Sequence, residues 1–361
     1  ALVDNNEVVW ARGFGHQDAE EKIPATANTV YRVGSVSKLF TDIAVLQLVD
    51  EGKLDLDAPI QTYLPDFQPE NPFDIPITLR QLMSHRSGMV RESPVGNYFD
   101  PDEPSLAATV DSLNQTGLVY RPETKTKYSN AAIAVVGAVL EQQLDVSHPE
   151  RVRETILDPL DLSESSFVVS ETVEPKLATG WMRTYDGRRF VAPTFLLGTG
   201  PAGNLYSSVN DLAKFLVCLF NDGKVGDKQI VKPETLSQMT TPLTDTDGQP
   251  LGFGLGFHVQ ELDGDKKSGH GGAVYGFSTQ LEALPERKLG VAAAASLDGS
   301  NGVVGRLTDY ALRLMIATQD EKPLPTYRTT GPVSPQRGRS LVGTYCEVDG
   351  NQFAKVTELN G

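Results

Sequence analysis

The chain has 361 residues, 39% of them hydrophobic and 22% charged, with a formal charge of −15 from 47 acidic against 32 basic side chains. This is the composition of a globular protein that can bury a real core, in one large domain or two smaller ones. The acidity argues against nucleic acid and anionic membrane surfaces, which are held largely through Lys and Arg.

Residues 7–11 and 29–33 read as strands, with turn residues Gly13 and Gly15 between them. Leu39, Ile43, Leu46 and Val49 recur at helical spacing and predict a helix that stops near Gly52. Thr78 and Gln81 form a capping-box pattern ahead of a short helix that runs to residues 85–88. Residues 131–141 are an apolar helical run opened by Tyr128-Ser129-Asn130. A cap at residues 208–211 precedes a helix over 212–220 that buries Cys218, and Pro233 marks the first turn of another.

After Pro250 the texture becomes β-rich. Residues 252–259, 273–284 and 289–296 read as strands, with a turn at 285–288, and 301–316 as a helix. Residues 321–340 read as a linker and 341–361 as the start of an incomplete β-rich segment, too short to fold alone. Strands at both ends of a mostly helical middle predict an α+β domain over 1–320. Its antiparallel sheet, from 1–33 and 252–318, is flanked by helices, and residues 60–250 form a mostly helical subdomain.

Cys218 and Cys346, the two cysteines, make neither a disulfide framework nor a zinc pattern. No run of about 18 apolar residues offers a membrane span. The chain opens at Ala1 without an initiator methionine. That is compatible with a removed signal and a periplasmic or secreted location, and a cytoplasmic one stays open.

The chemistry concentrates in Ser35-Val36-Ser37-Lys38, between a strand and a helix. A serine and a lysine three residues apart share one helical face. A hydroxyl in the first turn meets unpaired backbone N–H groups and the positive dipole end, which suits a nucleophile whose attack creates an oxyanion. Alone, the pattern also fits a helix cap beside a solvated lysine.

Tyr128-Ser129-Asn130 and His270-Gly271-Gly272 complete a series with it. In this order the chain resembles the serine β-lactamase and penicillin-binding-protein superfamily. It looks most like the class C β-lactamase-like branch, which also holds D-peptidases and family VIII carboxylesterases. Leu-Met-Ser-His-Arg-Ser-Gly at 82–88 and Ala-Gly-Asn-Leu-Tyr-Ser-Ser at 202–208 add to the resemblance, which covers about residues 1–318.

The resemblance implies a β-lactamase/transpeptidase-like fold and a serine hydrolase that forms an acyl-enzyme without metal or cofactor. Ser35 is then the nucleophile, with Lys38 and Tyr128 as candidate bases and Tyr128 protonating the leaving group. Asn130 holds the acyl side chain or orients Lys38; its alternative is a helix cap. His270 stands where many β-lactamases carry lysine, to hydrogen-bond Tyr128 or, when protonated, to bind a substrate carboxylate. Gly271 and Gly272 let the strand approach the ligand, and the Ala273 N–H joins that of Ser35 in an oxyanion hole. His85 reads as structural, and His16, His148 and His258 are too dispersed for a metal set.

The absent lysine moves the expected substrates from β-lactams toward small carboxylic esters or short peptide amides. The alternative is a β-lactamase or a D-amino-acid-specific peptidase. A rival of another class is a non-catalytic peptidoglycan-binding or scaffold protein with the same fold. The oligomeric state stays open.

Overall fold

A computed structural model describes residues 1–184, 186–244, 248–250, 252–327, 333–346 and 353–357. The chain opens with strands β1 (Leu2–Asp4), β2 (Glu7–Trp10) and β3 (Val30–Arg32), then helix α1 (Ser37–Asp50). Helices α2 (Leu79–Met83) and α3 (Asn130–Leu144) precede β4 (Tyr206–Ser208) and α4 (Val209–Phe220). Strands β5 (His258–Leu262), β6 (Asp265–Val274), β7 (Phe277–Leu284) and β8 (Leu289–Ala295) lead into α5 (Asn301–Gln319).

Both ends of this unit build one antiparallel sheet of six strands, in the order β5-β6-β7-β8-β1-β2. Side chains alternate across a strand, so β8 sorts its two faces. Leu289 and Val291 pack with Leu312 of α5, whereas Ala292 belongs to the main core on the other face. Gly290 lies against α4: a Cβ there would be 3.0 Å from Leu216 Cδ1. Helices therefore cover both faces of the sheet, the β-lactamase/transpeptidase-like arrangement.

Helix α1 runs through the main core, and Leu39, Phe40, Ile43, Leu46 and Leu48 are buried along it. Burying side chains of this size contributes about 1.5–3 kcal/mol each. Phe40 stacks on Phe215 of α4 at 4.5 Å between centroids. A helix buried all round holds its polar residues inside too, and Lys38 and Asp42 are among them.

The structure corrects several expected boundaries. Strand β3 pairs with β4 and not with the main sheet. Residues 252–257 form turns, and the strand starts at His258. Gly252 and Gly256 have φ of +78° and +91°, outside the strand region; Leu251 lies outside the described residues. The expected strand over 273–284 is a hairpin: β6 ends at Val274, and Gly276 turns it with φ +81°. Helix α2 ends at Met83, because His85 takes φ +59°. The expected linker contains a helix over Pro335–Ser340. Gly343–Cys346 pairs with Phe353–Val356, and the remainder of 341–361 falls largely outside the described residues.

Candidate active site

Strand β3 ends at Arg32, and after Val33 the chain turns at Gly34 (φ +53°) into a single 3-10 turn, Gly34–Val36, before α1. The second serine of the motif locks this turn. Ser37 Oγ donates to Gly34 O at 2.5 Å and accepts from Leu205 N at 2.9 Å. Strand β6 lies against the turn. A Cβ on Gly272 would be 1.9 Å from Val33 O, and one on Gly34 would be 2.9 Å from Ala273 N. The close approach at Gly272 is thus to the serine-bearing turn, where a ligand approach was expected. Gly271 instead faces Gln280, whose Oε1 a Cβ would meet at 2.8 Å.

Lys38 is fully buried. Its Nζ lies 3.1 Å from Ser35 Oγ, 2.8 Å from Asn130 Oδ1 and 2.8 Å from Ala202 O. Burial lowers its pKa to about 7, against the opposing fields of Glu92 and Asp42. The expected helix cap at Asn130 is made by Ser129, whose Oγ accepts from Ala132 N at 2.9 Å. The Asn130 side chain is thereby left for Lys38.

Tyr128 hydrogen-bonds Ser35, and burial pushes its phenol pKa up, against the phenolate. Lys38 Nζ sits 4.8 Å and Arg91 Cζ 5.2 Å from the centre of its ring. The ring packs on His85, with centroids 4.4 Å apart. His85 Nδ1 accepts from Ser129 N at 3.4 Å, which ties the helix cap to the Tyr128 ring.

His270 does not hydrogen-bond Tyr128. Its Nδ1 lies 2.6 Å from Gly271 O, so Nδ1 carries the hydrogen and Nε2 a lone pair. Among the described residues Nε2 has no hydrogen-bond partner, and the rings of His270 and Tyr128 are 6.0 Å apart. Burial, with the Lys38 charge second, lowers its pKa to about 3, which favours the neutral imidazole.

These residues open on one cavity of about 620 Å³. Ser35, Tyr128, Asn130, His270, Gly271, Gly272 and Ala273 line it, while Lys38 supports Ser35 from beneath. A sequence profile of the family described as Beta-lactamase matches residues 1–315. The chain belongs to the β-lactamase family.

Among relatives in this family, the beta-lactamase-like protein 2 of Dictyostelium discoideum is 28% identical over 301 residues, covering 81% of this chain and 54% of that protein. The teichoic acid D-alanine hydrolase of Staphylococcus aureus is 29% identical over 233 residues, 64% of this chain and 56% of that one. The chain thus spans about half the length of these curated relatives. The octameric penicillin-binding protein homologue of Pyrococcus abyssi superposes with a TM-score of 0.77 at 27% identity, over 99% of this chain and 80% of that one. The D-amino acid amidase of Ochrobactrum anthropi gives a TM-score of 0.71 at 22% identity, over 84% and 89%, which speaks to the fold. Among the described residues no helix is long and apolar enough to cross a membrane, and no group of three or more His, Cys, Asp or Glu could hold a metal ion.

Several residues around this β-lactamase-family site escaped the sequence reading. Glu92 accepts from Asn130 Nδ2 at 2.7 Å. The Ala202 carbonyl anchors Lys38, and Asn301 Nδ2 holds Gly272 O at 2.7 Å. The 202–208 motif signalled the second of these without its role; Glu92 and Asn301 carried no pattern of their own.

Proposed function

We propose that the chain is a serine hydrolase that works through an acyl-enzyme on small carboxylic esters or short amides. One observation carries this reading: the hydrogen bonding of Lys38. A neutral amine has two N–H groups and one lone pair. Asn130 Oδ1 and Ala202 O accept the two hydrogens, which leaves the lone pair for the hydroxyl proton of Ser35. A pKa of about 7 makes that neutral form available near neutral pH.

Ser35 Oγ then attacks the carbonyl carbon while its proton passes to Lys38 Nζ. The N–H groups of Ser35 and Ala273 receive the oxyanion. Tyr128, held as a phenol, gives its proton to the departing oxygen or nitrogen and is restored from the proton on Lys38. Water repeats the attack on the acyl-enzyme and releases the carboxylate and Ser35.

Neutral His270 offers no cation for a β-lactam carboxylate, and Arg91, which also lines the cavity, is paired with Glu92 at 3.3 Å; this ranks β-lactams below esters and amides. Glu92 favours a second reading within the same chemistry. Its carboxylate lines the cavity and suits an ammonium on the acyl group. D-aminoacyl esters and amides fit that description, in keeping with the names of the teichoic acid D-alanine hydrolase and the D-amino acid amidase.

The test is a panel of p-nitrophenyl acetate and butyrate, D- and L-alanine amides and nitrocefin, with wild type and Ser35→Ala. Turnover of an ester or amide that is lost in Ser35→Ala supports the proposal. Full turnover by Ser35→Ala, or none by wild type on any substrate, overturns it.

A further inference from the structure

We infer that Glu92 is a positioning residue for Lys38: it fixes the Asn130 amide and, through it, the orientation and proton affinity of the amine. The inference rests on Lys38 being the base, as proposed above. An amide has two unlike ends, and here each has one partner. Oδ1 accepts from Lys38 at 2.8 Å, and Nδ2 donates to Glu92 Oε1 at 2.7 Å. Flipping Asn130 would aim its hydrogens at the N–H groups of Lys38 and its carbonyl at a carboxylate. Both contacts are repulsive, so Glu92 selects the orientation that serves Lys38.

The backbone builds this relay deliberately. Asn130 N donates to Arg91 O at 2.8 Å, and Ser129 Oγ donates to Val90 O at 2.6 Å. The start of α3 is therefore stitched to the segment that carries Glu92.

Glu92 also governs the charge that Lys38 meets. Asp42 lies one turn further along α1, Tyr128 comes from the entry to α3, and His85 and His270 close the far sides. Burial favours the neutral form of each of these: it raises Asp42 and Tyr128 and lowers His85 and His270. Burial raises the Glu92 carboxyl too, but the Asn130 hydrogen bond and the Arg91 and Lys38 charges pull it back, so Glu92 and Arg91 are the charged neighbours. They touch at 3.3 Å, but the Arg91 side chain is 60% exposed and that of Glu92 only 23%. Water screens the guanidinium more, so the carboxylate dominates the field at the amine. Glu92 Oε2 is buried with no hydrogen-bond partner among the described residues, so its charge is only partly offset.

The experiment is the pH profile of kcat/KM for p-nitrophenyl acetate in wild type, Glu92→Gln and Glu92→Asp, with thermal unfolding to confirm the fold. Gln keeps an oxygen for Asn130 and removes the charge; the acid limb is expected to move to lower pH by about one unit. Asp keeps the charge and is too short to reach. Its limb stays in place, while the plateau falls by at least about tenfold as Asn130 loses its anchor. An unmoved limb in Glu92→Gln overturns the inference, and so does an equal drop in both variants with both limbs fixed, the mark of a merely structural role. Turnover that survives in Ser35→Ala defeats the proposed function itself, whatever the Glu92 variants do, and the inference with it.

Discussion

Gly272 lies against Val33 so closely that a Cβ on it would be 1.9 Å from the Val33 carbonyl oxygen. This contact sets β6 beside the turn that carries Ser35. Gly272→Ala must push strand and turn apart and shift the Ala273 N–H from the carbonyl it is proposed to receive. Turnover is expected to fall by about 10²–10³. Gly305 in α5 has no atom within 4 Å of a built Cβ. Gly305→Ala is therefore expected to keep turnover and change stability by at most about 1 kcal/mol. Steady-state kinetics and urea unfolding of the two variants check the contrast.

Burial of Lys38 predicts a pH-dependent stability of unusual sign. Its pKa falls from 10.5 unfolded to about 7 folded. Between these values the unfolded chain holds a proton that the native chain lacks, so stability rises with pH across that window. The slope approaches about 1.4 kcal/mol per pH unit. Lys38→Met abolishes the slope along with activity. Urea unfolding at several pH values from 7 to 9 should show wild type gaining on the variant, and parallel curves would contradict the assignment.

The acid limb of kcat/KM is expected near pH 7, where an ordinary histidine could also titrate. His270 is held at about 3 by burial and by the Lys38 charge. His270→Gln should therefore keep the limb near 7, whatever happens to its height. Loss of the limb in that variant would transfer the titration from Lys38 to His270.

Tyr128 is proposed to protonate the leaving group. p-Nitrophenolate leaves without a proton, whereas the nitrogen of an amide needs one. Tyr128→Phe should thus lower turnover of D-alanine amide by about 10²–10⁴ more than turnover of p-nitrophenyl acetate. Equal losses on the two substrates would remove Tyr128 from that role.

The fold class was legible from strands at both ends of a mostly helical middle, and the meeting of the distant motifs from the family resemblance they carry. The three-residue spacing put Ser35 beside Lys38, although Ser35 sits in the 3-10 turn ahead of α1, and the cap before α3 falls on Ser129 where the motif suggested Asn130. The glycines after Pro250 misled, because Gly252, Gly256 and Gly276 serve positive-φ turns inside what alternation suggested were strands. Glu92 was invisible for another reason. Its role depends on Asn130 pointing away from the helix cap, and only the packing of 90–92 against the start of α3 shows that. The Ala202 carbonyl is a backbone group and leaves no trace in side-chain pattern.

The central claim is that Ser35 is the activated nucleophile, and covalent labelling tests it most directly. Incubation with a fluorophosphonate, followed by intact-mass and peptide mass spectrometry, should find a single adduct on Ser35 that is absent from Ser35→Ala. A native chain that stays unlabelled, or an adduct that persists in Ser35→Ala, would contradict the account.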